Sequence, residues 1–183
     1  MVKNTNKKGF TIIEVVLVLA IAGLIFLMVF IALPALQRGQ RNTQRKNDLS
    51  RFVTAATQYQ ANNSNKLPFS SSTSLSKDSQ FVKRYIIANG DESQFQDPNG
   101  EDYRFYTSLM DLTKDLGSGE KVKSGASRGG VYYTFENNKN DIFVYTNAKC
   151  SAEEGYIEKS SGKNDFALVM ILEGNSFACN DNQ

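Results

Sequence analysis

Histidine is absent from all 183 residues. That absence removes Ser-His-Asp and Cys-His catalysis, HExxH zinc hydrolysis and every other scheme that needs an imidazole. Neither a GxxxxGK(S/T) nor a GxGxxG loop occurs, so the phosphate-cradling nucleotide motifs go as well. A charge excess is missing too. The 21 Lys and Arg nearly balance 19 Asp and Glu, for a net charge of +2, which leaves no whole-chain argument for nucleic-acid binding. With 22% charged and 40% hydrophobic residues, the composition is neither that of a disordered chain nor that of a multi-span membrane protein.

Charge is also missing locally. Residues 10–36 hold one ionisable side chain, Glu14, and the 22 residues from Val15 to Leu36 hold none. A bilayer core needs about 20 helical residues, and this segment is apolar all round rather than along one stripe. Before it stand Lys3, Lys7 and Lys8. After it, Arg38, Arg41, Arg45, Lys46 and Arg51 face a single acid, Asp48. The remaining residues, 52–183, carry 13 bases and 17 acids. The chain reads as a basic stub, an oil-like rod, a basic collar and a mildly acidic head. The rod is too long for a cleaved secretory signal and runs on into Pro34-Ala35-Leu36 and a polar helical pattern. An uncleaved signal anchor stays open on composition, and the flanking-charge rule is ambiguous about orientation.

A motif decides between these. Lys7-Lys8-Gly9-Phe10-Thr11-Ile12-Ile13-Glu14 resembles the processing site of type IV prepilins. The resemblance implies a leader of residues 1–9, cut after Gly9 on the cytoplasmic side by a membrane-embedded prepilin peptidase. It also implies methylation of the new amine on Phe10, and a filament whose subunits are set in register by Glu14. A carboxylate within an apolar helix is expensive unless paired. Cleavage would create a cationic amine four residues away, about 6 Å along the helix, on which a neighbouring subunit's Glu14 could sit. Gly23 falls where many such helices carry Gly. The helix-interrupting proline, here Pro34, stands about three residues later than is usual in the family, and marks a kink or weakened turn.

Arg38 to Tyr59 reads as a continuation of the same helix, with Leu49, Phe52, Val53, Ala56 and Tyr59 as its buried stripe and an end near Asn62-Asn63-Ser64-Asn65. The collar arginines Arg38, Arg41 and Arg45 share a face that has three readings: solvent or lipid headgroups, the acidic heads of neighbouring subunits, or DNA. A short second helix is expected at Ser76–Ala88, with Phe81, Tyr85 and Ile86 inward. Strands are expected at Tyr103–Thr107, Val131–Phe135, Ile142–Thr146 and Phe166–Glu173. Gly117–Gly130 reads as an exposed loop, and Glu136–Asp141 as a hairpin connection. Asp97-Pro98-Asn99-Gly100 is a turn. Continued to Tyr103, it resembles the DP-x-G-x-x-Y stretch that precedes the first strand of major pseudopilins and small pilins. Its acids do not make an EF-hand, since Ser108 stands at the twelfth position.

Cys150 and Cys179, the only cysteines, each follow a predicted strand in a head that the motif places outside the cytoplasm, so a disulfide is the natural reading.

The expected fold is α+β: a long N-terminal helix spine, transmembrane over residues 10–36, packed on an antiparallel sheet of about four strands in a head of residues 37–183. The expected role is structural rather than enzymatic, with no cofactor or metal. Implied partners are other copies and other pilins, the prepilin peptidase, the assembly platform protein and ATPase, and the cytoplasmic membrane before assembly. DNA and a host surface have no residue pattern in their support. The implied location is the cytoplasmic membrane with the N-terminus inside, and then a surface filament. Glu14 argues against the tip pseudopilin that usually lacks it. A minor pilin, a secretion or competence pseudopilin, and a signal-anchored binding or sensor domain remain as alternatives.

Overall fold

The computed structural model describes residues 9–69, 75–87, 90–106, 121–123, 139–153, 156–162, 164–174 and 176–183. Helix α1 runs unbroken from Ile12 to Asn62, with Pro34 inside it. It is long and apolar enough in its first part to cross a membrane. Two compact units are distinguished, Met1–Gln40 and Arg41–Gln183. Among the described residues of the first, every large apolar side chain is exposed. In the second, Leu49, Phe52, Val53 and Ala56 are buried, and Ala55 joins them. The helix ends where Ser64 and Asn65 turn to positive φ, and the Asn65 N–H closes the last turn on the Gln60 carbonyl at 2.9 Å.

Beyond α1, a π-helical turn at Val82–Ile86 and a 3₁₀ turn at Glu92–Phe95 lead to the strands. The described part of the expected second helix is thus shorter and wider than an α-helix, but Phe81 and Ile86 are buried within it as expected. Among the described residues seven strands follow: β1 (Arg104–Tyr106), β2 (Lys121–Lys123), β3 (Asp141–Thr146), β4 (Ala148–Cys150), β5 (Tyr156–Lys159), β6 (Phe166–Ile171) and β7 (Phe177–Asp181). They form one sheet in the order β1-β3-β6-β7 and a second in the order β2-β5-β4.

The main sheet has four strands, the number expected, but β7 is one that the sequence did not suggest, and the sheet is mixed. β1 pairs with β3 in parallel, Arg104 opposite Asp141, while β3–β6 and β6–β7 are antiparallel. A parallel neighbour needs a long connection, and the chain supplies one by leaving β1, contributing β2 to the second sheet and returning. Lys121–Lys123 therefore form a strand inside what reads as an exposed loop. The expected strand at Val131–Phe135 and the first half of the connection after it, 136–138, lie outside the described residues.

The apolar runs of β3 and β6 are buried on both faces, and their alternation sorts the core in two. Ile142, Val144, Phe166, Leu168 and Met170 join Leu49, Phe52 and Ala56 of α1 in one cluster. Phe143, Tyr145, Ala167, Val169 and Ile171 join Ala148 of β4 and Ile157 of β5 in the other. Phe52 sits edge-on to Tyr103 and Phe105, with centroids 5.0 and 5.3 Å away. The chain changes sheets between β3 and β4 at a single residue, Asn147. Its φ of 54° makes the bend, its N–H donates to Asp165 O at 2.6 Å, and its carbonyl accepts from Ser160 N–H at 2.9 Å.

Candidate functional site

Two places carry chemistry: the start of α1 and the end of the collar. At the first, Gly9 and Phe10 precede the helix, with Phe10 fully in the open and nothing within 4 Å of where a Gly9 side chain would begin. Thr11 is the N-cap. Its N–H and its Oγ1 both donate to Glu14 Oε2, at 2.8 and 2.9 Å, and the Glu14 N–H donates back to Thr11 Oγ1 at 3.3 Å. This is a capping box, which satisfies donors that the first helical turn would otherwise leave orphaned. Glu14 therefore has a polar partner within its own chain. The signal was in the sequence as Thr-x-x-Glu ahead of an apolar run, but the role assigned to Glu14 from resemblance passed over Thr11. Pro34, with no N–H, withdraws the donor that would bond the Phe30 carbonyl, and α1 continues through it.

The collar is a correction. Two of the three arginines expected on a face open to solvent, neighbouring heads or DNA are engaged within the chain. Arg45 has no exposed side-chain surface. Its Nε and Nη2 donate to Asp97 at 2.5 and 2.8 Å, and its Nη1 to Glu173 Oε1 at 3.1 Å. Arg41 forms a second two-pronged pair with Glu173, at 2.5 and 2.7 Å. Hydrogen bonds from Arg41, opposed by partial burial and reinforced by Arg45, hold the Glu173 carboxyl down to about 2. One turn further on, Asp48 accepts from the Tyr103 hydroxyl at 2.9 Å, and burial pushes both groups upward.

These contacts give the Asp97–Tyr103 stretch its physical reason. Asp97 reaches Arg45 and also accepts from the Asn99 N–H at 3.0 Å. Gly100, at φ +86°, closes the turn on the Asp97 carbonyl at 2.7 Å. Tyr103 reaches Asp48, and β1 starts at the next residue. Of the acids that suggest a cation at first sight, Asp97 is thus the helix's counter-charge, and Asp102 pairs with Lys77 at 3.5 Å.

Cys150 and Cys179 are joined in a disulfide, with Cα atoms 5.9 Å apart. The bridge ties β4 of the second sheet to β7 at the edge of the first. Beside it the Cys150 N–H donates to Asp181 Oδ2 at 2.6 Å.

Residues 4–30 match the model of the prokaryotic N-terminal methylation motif, the signature of type IV pilin and pseudopilin prepilin leaders. The match spans Gly9, Phe10, Thr11 and Glu14 and ends within the apolar part of α1. No curated protein and no solved structure matches the chain. Motif and apolar helix together indicate a membrane-anchored structural protein of the pilin-like or pseudopilin kind.

Proposed function

We propose that the chain is the structural subunit of a type IV pilus-like filament, made as a prepilin, cleaved after Gly9, N-methylated at Phe10 and polymerised through its N-terminal helix. The observation that carries this reading is the methylation motif over residues 4–30, with its one acid, Glu14, at the head of an otherwise uncharged rod. In this reading the chain waits in the cytoplasmic membrane with its N-terminus inside. The prepilin peptidase trims it, and a platform protein and ATPase drive its assembly with other copies into a surface filament. The Cys150–Cys179 bridge suits a head that works outside the cytoplasm.

In assembly Glu14 serves as the counter-ion of a neighbour's Phe10 amine. Two variants separate this role from helix capping. Glu14→Gln keeps an acceptor for the Thr11 donors, since Gln also closes a capping box, but removes the charge. It should insert, be cut after Gly9 and give few or no filaments by electron microscopy of sheared cells. Thr11→Val removes the hydroxyl and keeps the charge, and should retain filaments. Wild-type filament numbers from Glu14→Gln would reduce the carboxylate to a passive interfacial group. Equal loss in both variants would make it a helix cap only.

A further inference from the structure

The main sheet ends at β7, which among the described residues pairs with β6 alone. The register leaves part of its backbone unused. Leu172 N–H donates to Ser176 O and Asn182 N–H to Phe166 O, so the alternate pairs between them, Met170 with Ala178 and Leu168 with Asn180, are the hydrogen-bonded ones. Cys179 and Asp181 fall in the intervening pairs. Their N–H and C=O groups therefore point away from β6, and they have no hydrogen-bond partner among the described residues. Such an edge is a template for one more strand.

A groove runs beside that edge, lined by Lys46, Leu49 and Ser50 of α1 and by residues 177–180 of β7. Leu49 and Ala178 are buried and form its base, and Asn180 Nδ2 donates to Ser50 Oγ at 2.7 Å across it. Lys46 is exposed at its rim and has no ion-pair partner among the described residues. The acids of the neighbouring segments are already engaged. Asp48 holds the Tyr103 hydroxyl and faces Arg51, Glu173 holds Arg41 and Arg45, and Asp181 accepts from the Cys150 N–H on the side of the second sheet. Lys46 is thus a spare cation beside a spare strand edge.

We propose that this groove binds an extended acidic segment of a partner protein, which joins β7 as an added strand and sets a carboxylate against Lys46. A groove between a helix and an open sheet edge suits this mode of recognition, in which main-chain hydrogen bonds hold the peptide and side-chain contacts select it. Cys179 and Asp181 dictate the extended conformation, and Lys46 dictates the sign of the charge. The proposal does not depend on polymerisation, since the helix face and the strand both belong to the head.

Amide exchange of the full chain in detergent micelles, read residue by residue by NMR, tests it. The probe is the capped peptide Ser-Val-Glu-Val-Thr-Val, and its control carries Lys in place of Glu. At saturation the Glu peptide should slow exchange of the Cys179 and Asp181 amides by about tenfold or more. Ala178 and Asn180, already bonded to β6, should keep their rates. The Lys peptide should bind about tenfold more weakly, and Lys46→Glu, a change at an exposed position, should reverse that order. Failure of the Glu peptide to protect Cys179 and Asp181, or equal binding of the two peptides, would overturn the proposal. So would protection of those two amides that needs no peptide and grows with protein concentration, because the edge would then be taken by a second copy.

Discussion

The two halves of α1 are one helix in two different surroundings. From Phe10 to Leu36 every large apolar side chain is between 47% and 90% exposed, and the one acid finds its partner three residues away. From Arg41 to Asn62 the apolar stripe is buried, and Arg41, Arg45 and Asp48 reach partners 52 to 132 residues away. A uniform apolar surface declares a uniform surrounding, lipid or the core of an assembly, and needs no knowledge of the fold. A two-faced segment takes its meaning from what lies opposite. Its arginines look like a basic surface until Asp97 and Glu173 are set against them.

That contrast can be attacked most strongly at Arg45. If it is a fold element and not surface charge, Arg45→Met should destabilise the head by roughly 3–5 kcal/mol, because Asp97 is left charged and buried. Urea unfolding of the full chain in detergent, followed by near-ultraviolet circular dichroism, would show it. Adding Asp97→Leu should recover part of the loss, since removing both partners leaves no stranded charge. A surface arginine would show neither effect. Removing the bridge between the sheets comes next. Cys150→Ser should cost about 3.5 kcal/mol on the chain-entropy estimate for a loop of this length, read as a lower unfolding midpoint under non-reducing conditions.

The smallest effect is that of pH. The folded Glu173 carboxyl sits at about 2 against an ordinary 4.5. Its folded value is depressed, so its contribution to stability is complete above 4.5 and is lost as pH falls toward 2. Acid titration of head unfolding should therefore steepen below pH 4.5 in the wild type. In Glu173→Gln that part of the curve should flatten, with lower stability at neutral pH.

How far the sequence could be read follows the same division. The rod, the motif around Gly9, Phe10 and Glu14, the stripe from Leu49 to Tyr59, and the strands β3 and β6 were legible because each is a continuous local pattern. The turn at Asp97 was legible from Pro and Gly. Strands β4, β5 and β7 were not, because segments such as Ala-Lys-Cys and Phe-Ala-Cys-Asn-Asp carry little apolar pattern and exist through their pairings. The parallel β1–β3 pair was hidden because it depends on the path of a long connection. The partners of Arg41 and Arg45 were hidden because only the folded sheet brings residues 97 and 173 to the same helical turn. The capping box was in plain view at Thr11 and was missed because Glu14 already had a role assigned by resemblance.

Of all the measurements open, mass spectrometry of the N-terminal peptide from membrane and sheared surface fractions bears most directly on the account. Its result should be a chain that begins at Phe10 and carries one added methyl on its α-amine, with Gly9→Val leaving the leader attached at unchanged head stability. An intact Met1–Gly9 leader in surface or assembled material from the wild type would contradict the account.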